Sequence, residues 1–170
     1  MRPDRHGFTA STFAFFSVFL FPLFTSFIIP ADNPSIVGVW QLVELTNWSA
    51  DGERSQPYGD PPDGKFIYTP DGHMSIHIMR RPAVPKFTER PDDTEIAEFA
   101  RAYLGYYGTY SVDYEKGIVT HEVSGALNPN YVDTDREREF SISNDTLTID
   151  IRPDNGARYL RRLVRVESFE

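Results

Sequence analysis

Past residue 35 the chain alternates between apolar and polar positions. Leu147, Ile149 and Ile151 share one side of a run whose other side is Thr146, Thr148 and Asp150, the period-two pattern of a strand with one face buried. Val119, His121 and Val123 oppose Thr120 and Glu122 in the same way, which puts His121 on the apolar, inward face. In the run 73–79, Met74, Ile76 and Ile78 form the greasier side, and His73, Ser75, His77 and Met79 the other. Strands are also predicted at 36–46, 65–69, 106–114, 118–125, 136–143, 146–151 and 157–167. Pro70-Asp71-Gly72 should close 65–69 and 73–79 into a hairpin. Glu115-Lys116-Gly117, Asn144-Asp145 and the segment 153–156 mark later turns, and 47–64 reads as a long irregular loop or a broken hairpin.

One segment has a helical period. Asp92 with Glu95 three residues on has the form of a capping box, and Ile96, Phe99, Ala100, Tyr103 and Leu104 fall on one face of a helix over 92–104. Between barrel strands such a helix is expected to lay its apolar stripe over an open end or side, as a lid. The predicted fold class is all-β: a single antiparallel β-barrel of eight or more strands with one amphipathic helix, its interior filled or holding a ligand.

The first residues break this pattern. Arg2 and Arg5 precede an apolar run over 13–29, interrupted by Pro22, Thr25 and Ser26. A basic start, an apolar middle and a polar continuation read as a secretory signal peptide or, if uncleaved, an N-terminal anchor. Residues 1–31 are assigned to it and 32–170 to the barrel domain. The protein is expected to be secreted or in the secretory-pathway lumen, or else held at a membrane by residues 13–29. Two sequons, Asn47-Trp48-Ser49 and Asn144-Asp145-Thr146, each beside a predicted turn, would carry glycan in a eukaryotic secretory pathway.

Composition narrows the function classes. A formal charge of −8 disfavours nucleic acid and anionic membrane surfaces as partners. With no cysteine there are no disulfides, thiolate metal sites or cysteine nucleophiles. His73 and His77 on one strand face stand about 13 Å apart, too far to share an ion, so no metal is expected. No nucleophile elbow, Walker loop or dinucleotide fingerprint is visible, and no cofactor is expected.

The ordered blocks of the domain resemble the lipocalin-like families, specifically the small lipocalin-like domain proteins of bacteria and fungi. Gly38-Val39-Trp40 resembles the G-x-W of their opening strand. Residues 67–75 resemble the strand-turn-strand segment that follows, and 107–113, 119–121, 127–131 and 138–140 the later blocks. The resemblance covers nearly all of 36–167. It implies a barrel with an internal pocket, with Gly38 and Trp40 structural and an arginine, Arg161 or Arg165, closing the base over Trp40. Related fungal barrels guide cyclisations or isomerisations of polyketide and terpenoid intermediates, which makes such a reaction the catalytic version of the reading.

Several residues are candidates for chemistry. A neutral His121 inside an apolar barrel can exchange hydrogen bonds with a ligand or relay a proton, or simply be a buried histidine satisfied by tyrosine hydroxyls. Arg136 and Arg138 share a face with Phe140 and Ile142; if that face is interior, Arg138 can clamp a carboxylate or enolate. His121 and Arg138 are thus the catalytic candidates. Tyr68, His77, Tyr107, Asn130 and Tyr131 are the ligand-binding candidates, the last two on a loop at a barrel mouth. Tyr107 and Tyr110 point to opposite faces, so at most one should reach a pocket. The expected function is binding of a small hydrophobic molecule, with cofactor-independent cyclase or isomerase chemistry on a secondary-metabolite intermediate as its catalytic form. Passive carriage of a lipid-like ligand and a solid structural barrel are the alternatives.

Overall fold

A computed structural model describes residues 34–166; the expected targeting segment lies outside them. The strands are β1 (Gly38–Trp48), β2 (Arg54–Ser55), β3 (Asp63–Tyr68), β4 (His73–Met79), β5 (Tyr103–Asp113), β6 (Ile118–Ala126), β7 (Thr134–Ser143), β8 (Thr146–Ile151) and β9 (Arg158–Arg165). Helix α1 (Asp93–Ala102) precedes β5, and a single 3-10 turn (Pro129–Tyr131) precedes β7. Neighbouring strands pair antiparallel in the order β1-β3-β4-β5-β6-β7-β8-β9, and β9 pairs back onto β1. The sheet is therefore a closed barrel of eight strands. The short β2 adds a ninth on the far end of β1 through Asn47 and Trp48. Closure leaves the barrel strands without free edges.

Alternation dictates what faces inward. Trp40, Leu42, Phe66, Met74, Ile76, Ile78, Val119, Val123, Leu147, Ile149 and Leu163 are all buried in one core. Trp40 closes the end of the barrel where β1 and β6 begin. There Trp40 donates its Nε1–H to the Ile36 carbonyl at 2.8 Å, and the Arg165 guanidinium lies 4.1 Å above the indole ring. Gly38, at φ +137, sits against that guanidinium: a Cβ on it would come within 2.6 Å of Arg165 Nη1. The glycine of G-x-W is thus the space that lets the arginine reach the tryptophan.

The helix departs from expectation in extent and placement. Asp92 caps it as a capping box with Glu95, but Tyr103 is already extended at φ −128, ψ 137. Tyr103 and Leu104 open β5 because they pair with Met79 and Ile78 of β4, and a ladder against a buried strand outweighs one more helical turn. The rest of the stripe is uncovered, with Ile96 49% and Phe99 40% exposed and only Ala102 buried. Phe99 instead stacks on Tyr103 and meets Phe87 edge-on. The helix stands beside the open end; it does not lay its stripe across it. Among the described residues no helix is long and apolar enough to cross a membrane.

Candidate functional site

The half of the barrel away from Trp40 is not filled. A cavity of about 70 Å3 lies inside it, walled by Phe66, Ile76, Ile78, Leu104, Ile149 and Ile151. Its polar lining is Tyr106, His121, Tyr131, Arg138 and Arg161. Leu104 and Tyr131 also border a second, wider space of about 500 Å3, a vestibule edged by Tyr58, Ala100, Arg101, Leu127, Asn128 and Pro129. Roughly 300 Å3 is the lower bound for a typical ligand pocket. The inner cavity falls well below this and the vestibule exceeds it.

His121 is 1% exposed and both its ring nitrogens are engaged. Tyr68 Oη lies 2.9 Å from Nε2 and Tyr106 Oη 2.9 Å from Nδ1. A neutral imidazole has one N–H, so one tyrosine donates to the ring and the other accepts from it. Burial, aided by the positive charges of Arg138 and Arg136, pushes the His121 pKa down to about 3. Burial pushes the Tyr106 phenol up to about 12 against the pull of the nearby arginines. At neutral pH this is an uncharged Tyr–His–Tyr chain. Tyr68 is fully buried behind His121 and packs edge-on to Tyr110 at 5.0 Å. It reaches the cavity only through the histidine.

The interior arginines come from β7 and β9. Even positions of β7 face in, so Arg136 and Arg138 line up with Phe140 and Ile142, while Asp135, Glu137 and Glu139 face solvent. Arg138 Nη1 donates to the Glu137 carbonyl at 2.7 Å. Arg161 Nη1 donates to Asn47 Oδ1 and to the Leu160 carbonyl, each at 2.9 Å. Burial lowers the Arg138 pKa and brings that of Arg161 down to about 10, opposed by Tyr106 and Tyr58. The Arg136 guanidinium lies 3.8 Å over the Tyr131 ring and so fixes the tyrosine at the junction of cavity and vestibule.

Other expected positions lie elsewhere. Tyr107 is 60% exposed on the outer face of β5. His77 is also outside, bonded to Ser75 and Tyr103. Asn130 is exposed in the 3-10 turn, where its N–H donates to Asn128 Oδ1, and Asn128 borders the vestibule in its place. Asn47 is a strand residue of β1, half-buried and paired with Ser55 and Tyr159, just before the turn that Ser49 opens, and its side chain accepts from Arg161. Asn144 does occupy a turn, at φ 51, and is exposed. Gly38 and Trp40 form the closed end.

Leu104, Tyr106 and Arg161 are cavity-lining residues that sequence reasoning missed, Arg161 being expected only at the base, where Arg165 stands instead. The even series Leu104, Tyr106, Tyr110, Val112 is apolar and the odd series Tyr107, Thr109, Ser111, Asp113 is polar. That contrast is already present within 106–114, where Tyr106 shares its face with Tyr110 and Val112. Among the described residues no group of three or more metal-ligating side chains converges.

No curated protein matches the chain. Three solved structures resemble the fold. A lipocalin-like protein from Bacteroides uniformis is 15% identical, with 74% of this chain and 96% of that one covered, at a TM-score of 0.42. A redesigned β-barrel is 14% identical, covering 77% and 91%, at 0.39. A mutant of the fluorescent protein UnaG is 11% identical, covering 77% and 96%, at 0.37. The model of the lipocalin-like domain family matches residues 37–161, most of the chain, from the start of β1 into β9, and the protein belongs to that family.

Proposed function

We propose that the barrel binds a small, mostly apolar molecule that enters at the end beside α1. One observation carries the reading: the barrel is packed around Trp40, while its other end holds a cavity that shares its Leu104 and Tyr131 walls with a vestibule large enough for such a molecule. Aliphatic walls supply the affinity and a few polar groups the orientation. The test is the fluorescence of a neutral apolar dye, Nile red. Wild-type protein should bind it with blue-shifted, enhanced emission, and Leu104→Trp, which plugs the throat, should weaken binding about tenfold or more. Equal binding by the two proteins would place the dye elsewhere and refute the reading.

Passive carriage is favoured over turnover because the expected proton relay is saturated. His121 bonds a tyrosine at each nitrogen and stays neutral far below physiological pH. Cofactor-independent cyclisation or isomerisation of a polyketide or terpenoid intermediate is the second reading. What favours it is that the Tyr68–His121–Tyr106 chain ends on the cavity wall, where Arg138 stands ready to stabilise an enolate. His121→Ala separates the two: an isomerase loses rate by about tenfold or more, while a carrier keeps its dye affinity within a small factor.

A further inference from the structure

We propose that the ligand is an amphipathic anion. Its carboxylate head sits in the inner cavity against Arg138, Arg161 and Tyr106, and its apolar tail passes Leu104 and Tyr131 into the vestibule. The inference rests on the binding reading above and names the class of molecule bound.

Charge pairing is the first argument. Arg80, Arg81, Arg152, Arg158, Arg162 and Arg165 each have a carboxylate within 4.0 Å. Among the described residues Arg54, Arg90, Arg101, Arg136, Arg138 and Arg161 have none, in a chain with 25 Asp and Glu; the first three are exposed to water and the last three are not. The pleat is the cause, since placing Arg136 and Arg138 inward places Asp135, Glu137 and Glu139 outward. A guanidinium taken out of water is strongly disfavoured unless an anion accompanies it. The barrel interior supplies arginines without the anion.

Unused donors are the second. Among the described residues only Nη1 of Arg138 and Nη1 of Arg161 find protein acceptors, so each keeps donors for a ligand. Arg136 Nε is buried with no partner. A planar guanidinium fork matches a flat carboxylate in two parallel hydrogen bonds, which a neutral hydroxyl cannot return. Tyr106, bonded to the neutral His121, adds a hydroxyl on the same wall and no competing charge.

Dimensions are the third. About 70 Å3 accommodates a head group but not a whole ligand, and the about 500 Å3 beyond it is bordered by Leu104, Leu127, Pro129 and Ala100. The volumes therefore order the molecule head inward and tail outward.

The test is calorimetric titration of the full-length protein with decanoate and with decanol, which share a chain and differ in charge. At neutral pH decanoate should bind about tenfold or more tightly than decanol. Arg138→Met and Arg161→Met should each erase most of that preference, through weaker decanoate binding. Methionine keeps the apolar stem and removes an unpaired buried charge, so both variants are expected to fold. Arg138→Lys, which keeps the charge but not the fork, should fall between. Equal affinity for the two probes, or a preference for decanoate that survives both methionine variants, would overturn the anion and spare the apolar pocket. Binding of neither probe would overturn the pocket itself and this inference with it.

Discussion

At the closed end Arg165 stacks on Trp40 and donates to the Val37 carbonyl at 2.8 Å and the Ser35 carbonyl at 2.7 Å. At the open end Arg138 and Arg161 line a cavity with most of their donors unused and, among the described residues, no carboxylate within 4.0 Å. The same side chain, on inward positions of neighbouring parts of one sheet, is thus satisfied by protein at one end and left for something else at the other. Unsatisfied buried groups cost stability. A barrel that keeps them on one side only separates the part that holds the fold from the part that meets a ligand.

The largest way to probe this contrast is to empty the closed end. Trp40→Ala removes the ring that fills the base, its hydrogen bond to Ile36 and the surface on which Arg165 rests. Loss of about 3–5 kcal/mol is expected in urea unfolding. Dye affinity of the molecules that stay folded should change little, because the cavity lining does not include Trp40. A loss under about 1 kcal/mol would mean that the base is not what holds the barrel.

His121 sits where the two halves meet and makes the contrast depend on pH. Its folded pKa is about 3 against an ordinary 6.5. Between those values the unfolded chain carries a proton that the folded one refuses, so stability rises with pH across the window and is lost as pH falls. The slope can reach about 1.4 kcal/mol per pH unit, which gives roughly 2 kcal/mol between about pH 6 and 4.5. His121→Gln can still bond both tyrosines but does not titrate. Urea midpoints for this variant should be flatter with pH over that range than those of wild type. Parallel profiles would show that burial at His121 is not what excludes the proton.

The two ends also differed in how much of them could be read from the sequence. Alternation in 146–151, 118–125 and 73–79 placed His121, Leu147 and Ile76 inside, and Gly38 and Trp40 marked the base through a local motif. At the open end the determinants are longer in range. Tyr103 and Leu104 have a helical spacing with Ile96 and Phe99 but are taken by β4. That reassignment puts Leu104 on the same inner face as Tyr106. Arg161 is inward by alternation alone, yet its role depends on Asn47, which lies 114 residues earlier in the chain. Periodicity shows which face a residue occupies. It does not show which part of the barrel is left empty.

The smallest effect is the most diagnostic, because the two ends should give opposite signs. Arg165→Met removes a cation–π stack and two hydrogen bonds to backbone carbonyls and leaves those carbonyls wanting, so about 1–2 kcal/mol of stability is lost. Arg138→Met removes a charge whose burial lowers its own pKa and that has no counter-ion in the protein. A thioether of similar reach restores apolar contact with Ile76 and Ile149, the other walls of the same cavity. The ligand-free variant should be as stable as wild type or more stable by about 1 kcal/mol. Midpoints of urea unfolding, measured on protein stripped of ligand, compare the two directly. If both substitutions destabilise alike, Arg138 is braced by the protein after all, and the open end is a second base with no vacancy for an anion.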